Sequence, residues 1–245
     1  MKRILALTLA SLSCATAFAG SITLTGTVRD FNADGVNFEA SSYTSGPGWV
    51  NSTLSGPSPT LTATGASHIS NSDAGAFSNW YTNTANSMSY GLTLTETGPG
   101  TGIYEYLSSA FYPIDNQLLG NQGRSHNYHF TYAISSTFYY NAGAGQKFSF
   151  TGDDDVWVFF DNKLGIDLGG VHGAQSQTVN LDTLFSGYAS GNYSFDFFFA
   201  ERHTTESNLK IQTSLAFNEV PEPASLALIG IALAGLGFSR RRQSK

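Results

Sequence analysis

The chain has 245 residues, a formal net charge of −6, and only 12% Asp, Glu, Lys and Arg. Between residues 20 and 219, six Lys and Arg stand against 17 Asp and Glu, a balance of −11. No basic stripe is left to displace counterions from phosphate, which excludes nucleic acid as a partner and makes divalent cations plausible ones.

In chain order, Lys2 and Arg3 precede an apolar stretch from Ile4, and Ala17-Phe18-Ala19 forms an A-x-A cleavage site. Residues 1–19 therefore read as a secretory signal peptide. The only cysteine, Cys14, lies within it, so residues 20–219 have neither disulfides nor thiolate zinc sites. That stretch is the length of one large β domain. It is rich in Gly, Ser, Thr, Asn and aromatic residues, which suit turns and strands. Strands are expected at 21–29, 89–95, 128–134, 146–150, 155–160, 194–200 and 209–217. The fold class is all-β, an antiparallel β-sandwich with long loops, helical only at the two terminal signals.

Asp30-x-Asn32-x-Asp34-Gly35 matches the first half of a calcium loop, but position twelve is Ser41 instead of Glu. A turn between strands is the competing reading. Residues 46–75, rich in Gly, Ser, Thr and Pro, read as a long surface loop or insertion, disordered in part. Trp49, Trp80 and Tyr81 sit in polar surroundings and could stack on sugar rings or pack in a core. His126, His129, His172 and His203 could join in a zinc site or bond to loop backbones; their spacing fixes no geometry.

The richest segment runs from Phe148 to Leu164. Val156, Val158 and Phe160 alternate with Trp157 and Phe159, so both faces of this strand are apolar: it is buried on both sides, or sits in the middle of a sheet. Asp161-Asn162-Lys163 supplies a tight turn, and a second strand runs through Leu168 to end at Gly169-Gly170. Asp153, Asp154 and Asp155 precede the buried strand. Adjacent carboxylates repel unless a cation or hydrogen-bond donors compensate. On residue types alone, a Ca²⁺ site and an exposed acidic turn capping backbone N–H groups fit equally well. Downstream, Arg202 beside Glu201 is expected to pin a loop through a salt bridge.

At the C-terminus, Val220-Pro221-Glu222-Pro223 leads into 15 apolar residues, Ala224–Phe238, and then Arg240, Arg241 and Arg242. This order resembles the PEP-CTERM sorting tail, here residues 220–245. If helical, the apolar run reaches about 22 Å, short of a hydrocarbon core of roughly 30 Å. A transient membrane insertion via 224–238, ended by an exosortase-type processing enzyme, fits better than a permanent span.

Three further stretches, Gly152–Asp161, Asp167–His172 and Phe198–Asn208, resemble the fibro-slime domain. So do Val28–Phe31, Asn37–Glu39, Phe111–Asp115 and His126–Thr131, although Gly35-Val-Asn-Phe-Glu39 replaces the family's usual His-Pro-Asp-Phe-Glu. The fibro-slime domain is in turn similar to the protective-antigen-type lectin β-sandwich. That resemblance implies a cis-linked aspartate pair that binds Ca²⁺ together with sugar hydroxyls. Asp153, Asp154 and the hairpin Asp161 fall on the family's positions; Asp155 replaces a frequent Gly. Asn208 is the expected ligand from a second loop, and Glu201, Arg202 and His203 are expected at the ligand.

Glu201, Asp153 and Asp154 could also pair for glycoside hydrolysis. No nucleophile elbow, His-Glu-x-x-His helix or phosphate-binding Gly loop is present, however, and an enzyme is not expected. The expectation is an exported module of the surface or matrix of a Gram-negative bacterium that binds extracellular polysaccharide through Ca²⁺. The alternative is a structural matrix protein in which Ca²⁺ only stiffens a loop.

Overall fold

The computed structural model describes residues 19–35, 37–39, 44–70 and 76–218. The sorting tail, and the signal peptide up to Phe18, lie outside these residues. Twelve strands form among them: β1 (Ser21–Asp30), β2 (Ser45–Gly46), β3 (Ser87–Glu96), β4 (Tyr104–Ser108), β5 (Phe130–Tyr140), β6 (Lys147–Gly152), β7 (Asp155–Phe160), β8 (Lys163–Gly170), β9 (Gln175–Asn180), β10 (Gly191–Glu201), β11 (Leu209–Thr213) and β12 (Ala216–Phe217). Every pairing is antiparallel, in the order β2-β8-β7-β10-β5-β1-β3-β4-β11-β6-β9, with β12 on β5. Two four-residue helices, α1 (Ala63–Ala66) and α2 (Leu181–Leu184), add helix inside the domain, where none was expected. Thr62 and Asn180 cap them by accepting hydrogen bonds from Gly65 N and from Asp182 N, respectively.

The sheet curls so that its two halves become the layers of the sandwich. Phe148 and Phe150 of β6 pack on Phe195 and Phe197 of β10, with ring centroids 5.4 and 6.0 Å apart. At the far ends Asp167 N donates to Gln177 Oε1 at 2.8 Å, tying β8 to β9. The inward residues of the strands, Val156, Val158 and Phe160 of β7 among them, form one aromatic core.

β7 lies inside the sheet between β8 and β10 and is buried at every position, in keeping with its two apolar faces. Its outer residues, Trp157 and Phe159, join Phe198 and Ala200 in a second core, which described residues between Phe31 and Tyr81, from Phe38 and Trp49 to Phe77 and Trp80, cover. That segment corrects the surface-loop expectation for 46–75. Its described part is anchored by buried Trp49, Val50, Leu54 and Ile69, and by a Val50–Leu61 bridge. Trp49, Trp80 and Tyr81 are core side chains, 3%, 0% and 4% exposed, and so present no face to a sugar. Asp161 and Asn162 take φ of +48° and +62°, the left-handed pair that a two-residue hairpin needs.

Candidate functional site

Strand register gathers the site at one end of the sandwich. Gly152 ends β6 opposite Leu209 of β11, and Asp155 begins β7 opposite Ala200 of β10. The Asp153–Asp154 peptide, which is cis, therefore steps between the two halves where β10 leaves and β11 returns. The loop from Arg202 to Asn208 makes the same crossing, and β8 delivers Gly170 to Val171 beside it. Two glycines permit this crowding. A Cβ on Gly152 would lie 2.2 Å from Asn208 O, and one on Gly170, at φ +102°, would lie 2.1 Å from Thr44 O.

The three aspartates then have three different fates. Asp153, 4% exposed, is held at both oxygens by Asn208, from N at 2.5 Å and from Nδ2 at 2.8 Å. Asp154, also 4% exposed, accepts from His172 N and Arg202 N, each at 3.0 Å. Asp155, expected as a metal ligand, is turned away from the cleft. It is fully buried, with Oδ1 on Gly170 N at 2.5 Å and Oδ2 on Arg202 Nε at 2.6 Å. Arg202 thus pairs with Asp155 and not with neighbouring Glu201. Its other contacts are Asn37 O at 3.0 Å and the Trp80 ring at 5.3 Å.

Glu201, 1% exposed, stands behind the aspartate pair and leaves Oε2 buried without a partner. Burial pushes its carboxyl well above the usual range, reinforced by repulsion from Asp154 and Asp153. Burial likewise drives Asp154 well up, Arg202 opposing and Asp155 reinforcing. Asp153 is raised by burial and held back by its two Asn208 bonds. Four buried carboxyl groups thus meet one guanidinium, which is already committed to Asp155.

Above the pair lies a cleft of about 350 Å³, lined by Asp153, Asp154, Val171, His172, Gly173, Arg202, His203, Thr205 and Glu206. Of the expected site residues, Asp153, Asp154, Arg202 and His203 line it, while Asn208, Glu201 and Asp155 support it from behind. Thr205 and Glu206 were missed, and His172, considered only for a zinc site, lines the cleft, although both loops lay inside the stretches that carry the fibro-slime resemblance. Glu206 is two positions before Asn208 and takes an Nδ2 hydrogen bond from it at 3.3 Å.

The histidines do not form one centre. His126 Nδ1 bonds to Asp115 Oδ2 and His129 Nε2 to Glu39 Oε1, carboxylates instead of loop backbone. His203 Nε2 lies 3.8 Å from Glu39 Oε2, while His172 Nδ1 meets Gly173 O. Among the described residues, no group of three His, Cys, Asp or Glu is arranged to hold a metal ion by itself. The segment after Asp30 folds as a turn, Gly35 N donating to Asn32 O.

Residues 111–225 match the PA14 domain, beginning beside this site and running through its every loop. This stretch of the chain is thus similar to a PA14 domain. Residues 219–242 match the PEP-CTERM protein-sorting motif, which marks an exported protein. Protein psiC of Dictyostelium discoideum is 50% identical over 135 residues, 51% of this chain and 25% of its own length. Protein psiQ of the same organism is 40% identical over 186 residues, 69% of this chain and 18% of its own. The chain thus spans a quarter or less of these two relatives. A PA14 sugar-binding domain from an RTX adhesin aligns over 48% of this chain and 74% of its own, at 12% identity and a TM-score of 0.29. The PA14 domain of the MpAFP antifreeze protein aligns over 89% and 99%, at 9% identity and 0.36.

Proposed function

We propose that this domain is a PA14-type, non-catalytic module that binds a glycan over a Ca²⁺ ion held at Asp153 and Asp154. The observation that carries the reading is the imbalance of buried charge. Asp153, Asp154 and Glu201 are nearly sealed from water, and the one guanidinium among them serves Asp155. Burial raises all three carboxyl groups, disfavouring their charged forms despite the hydrogen bonds to Asp153 and Asp154, and a hard divalent cation that prefers oxygen is the partner that would favour the charged forms. Asp153 and Asp154 would hold the ion, with the Asn208 amide oxygen as a third ligand and the rest from backbone or water. The bound ion would offer its remaining coordination positions to sugar hydroxyls. The loops of His172 and Arg202, fixed by their backbone bonds to Asp154, keep the carboxylate aimed and shape the cleft around it. The setting is the extracellular polysaccharide of the cell surface or matrix of a Gram-negative bacterium.

Calorimetry tests this. Asp154→Asn should abolish Ca²⁺ and glycan binding together, and EDTA should do the same to the wild type. Glycan binding that survives both would overturn the mechanism. If Ca²⁺ raises the melting temperature but no glycan registers on an array, the ion only stiffens the loop.

A further inference from the structure

We infer that the cleft selects its glycan by charge, taking neutral or amine-bearing sugars and rejecting carboxylated or sulfated ones, with Glu206 as the selecting residue. The inference rests on the glycan-binding reading and sharpens it to a ligand class. The cleft is rich in acceptors and poor in charged donors. Asp153, Asp154 and Glu206 present carboxylates to it. The one guanidinium in its wall spends Nε on Asp155 and Nη1 on Asn37 O, with its plane against Trp80. His172 closes Nδ1 on Gly173 O and leaves Nε2 without a partner. Behind Asp153 and Asp154, Glu201, 1% exposed, adds a buried oxygen without a hydrogen-bond partner to the same acceptor-rich end.

A divalent ion would be neutralised by Asp153 and Asp154 alone. Glu206 then remains as an uncompensated negative charge on the lip, tethered by the same Asn208 amide that holds Asp153. A sugar carboxylate or sulfate placed against Glu206 meets a like charge, whereas hydroxyl or ammonium groups meet an acceptor. Between residues 20 and 219 the net charge of −11 adds repulsion of a polyanion at a distance.

The test is an array of neutral, amine-bearing, carboxylated and sulfated glycans, probed with the full chain in Ca²⁺ and in EDTA. Ca²⁺-dependent signal should be confined to the neutral and amine-bearing members. Glu206→Gln should narrow the preference for amine-bearing over carboxylated members by about tenfold, the scale of one charge interaction near a protein surface. Glu206→Asp, which keeps the charge, should retain it. The Ca²⁺ affinity of all three proteins, measured without glycan, and their melting temperatures report whether ion site and fold are intact. Carboxylated glycans among the strongest Ca²⁺-dependent binders, or an unchanged ratio in Glu206→Gln, would overturn the charge selection alone. No Ca²⁺-dependent signal on any glycan would sink the binding reading and this inference with it.

Discussion

Asp30 closes β1 at 4% exposure, with Oδ2 on Leu119 N at 2.8 Å and Oδ1 buried without a partner. Burial pushes its carboxyl up from 3.8 to about 6, with hydrogen bonding opposing. A carboxyl that holds its proton more tightly in the folded state than in the unfolded one adds stability at low pH. That contribution is complete below the unfolded value and is lost as pH rises through about 6. Asp30→Asn, neutral throughout, should therefore lack this loss. Urea unfolding at pH 4 and pH 7.5 should show the wild type losing about 1–3 kcal/mol relative to the variant over that interval. Parallel pH profiles would mean that Asp30 is already ionised in the folded protein. Arg202 shows the opposite solution to a buried carboxylate, a direct ion pair, and that is why Asp155 was misplaced by its sequence neighbours. Three adjacent aspartates look equivalent in sequence; only the tertiary arrival of Arg202 and Gly170 separates the third from the other two.

Among the elements, β7 was legible to the residue because six consecutive apolar or capping positions between turn residues admit one reading. Most other strands were found with shifted ends. β4 (Tyr-Glu-Tyr-Leu-Ser) and β9 (Gln-Ser-Gln-Thr-Val-Asn) were missed because they bury little and show weak apolar alternation. The composition of 46–75 hid its anchors, since four apolar side chains among many Gly and Ser leave no period to detect. The two apolar faces of β7 nevertheless required a cover, and that segment supplies it. Trp157 packs edge-on to Phe77 at 5.7 Å and is fully buried. Trp157→Ala should cost about 3–5 kcal/mol in chemical denaturation, and should speed proteolysis first between residues 44 and 81. A globally destabilised variant whose first cuts fall elsewhere would show that the cover does not depend on this contact.

For the whole molecule, one end of the sandwich carries the chemistry while the sorting motif carries the destination, and the two are linked by charge. The four basic residues Arg240, Arg241, Arg242 and Lys245 all follow the apolar run, so a cut near Pro221–Pro223 removes them together. What remains between residues 20 and 219 carries −11, an acidic surface suited to divalent ions and unsuited to an anionic leaflet. An apolar run of 15 residues is also too short to rest comfortably across a bilayer. Both features argue that the tail is transient. Intact mass spectrometry of protein released from the cell surface should accordingly show a species well below 26.2 kDa, lacking the segments before Gly20 and beyond the Pro-Glu-Pro. Surface protein that retains Arg240–Arg242 would make the tail an anchor that holds the domain at the membrane instead of releasing it.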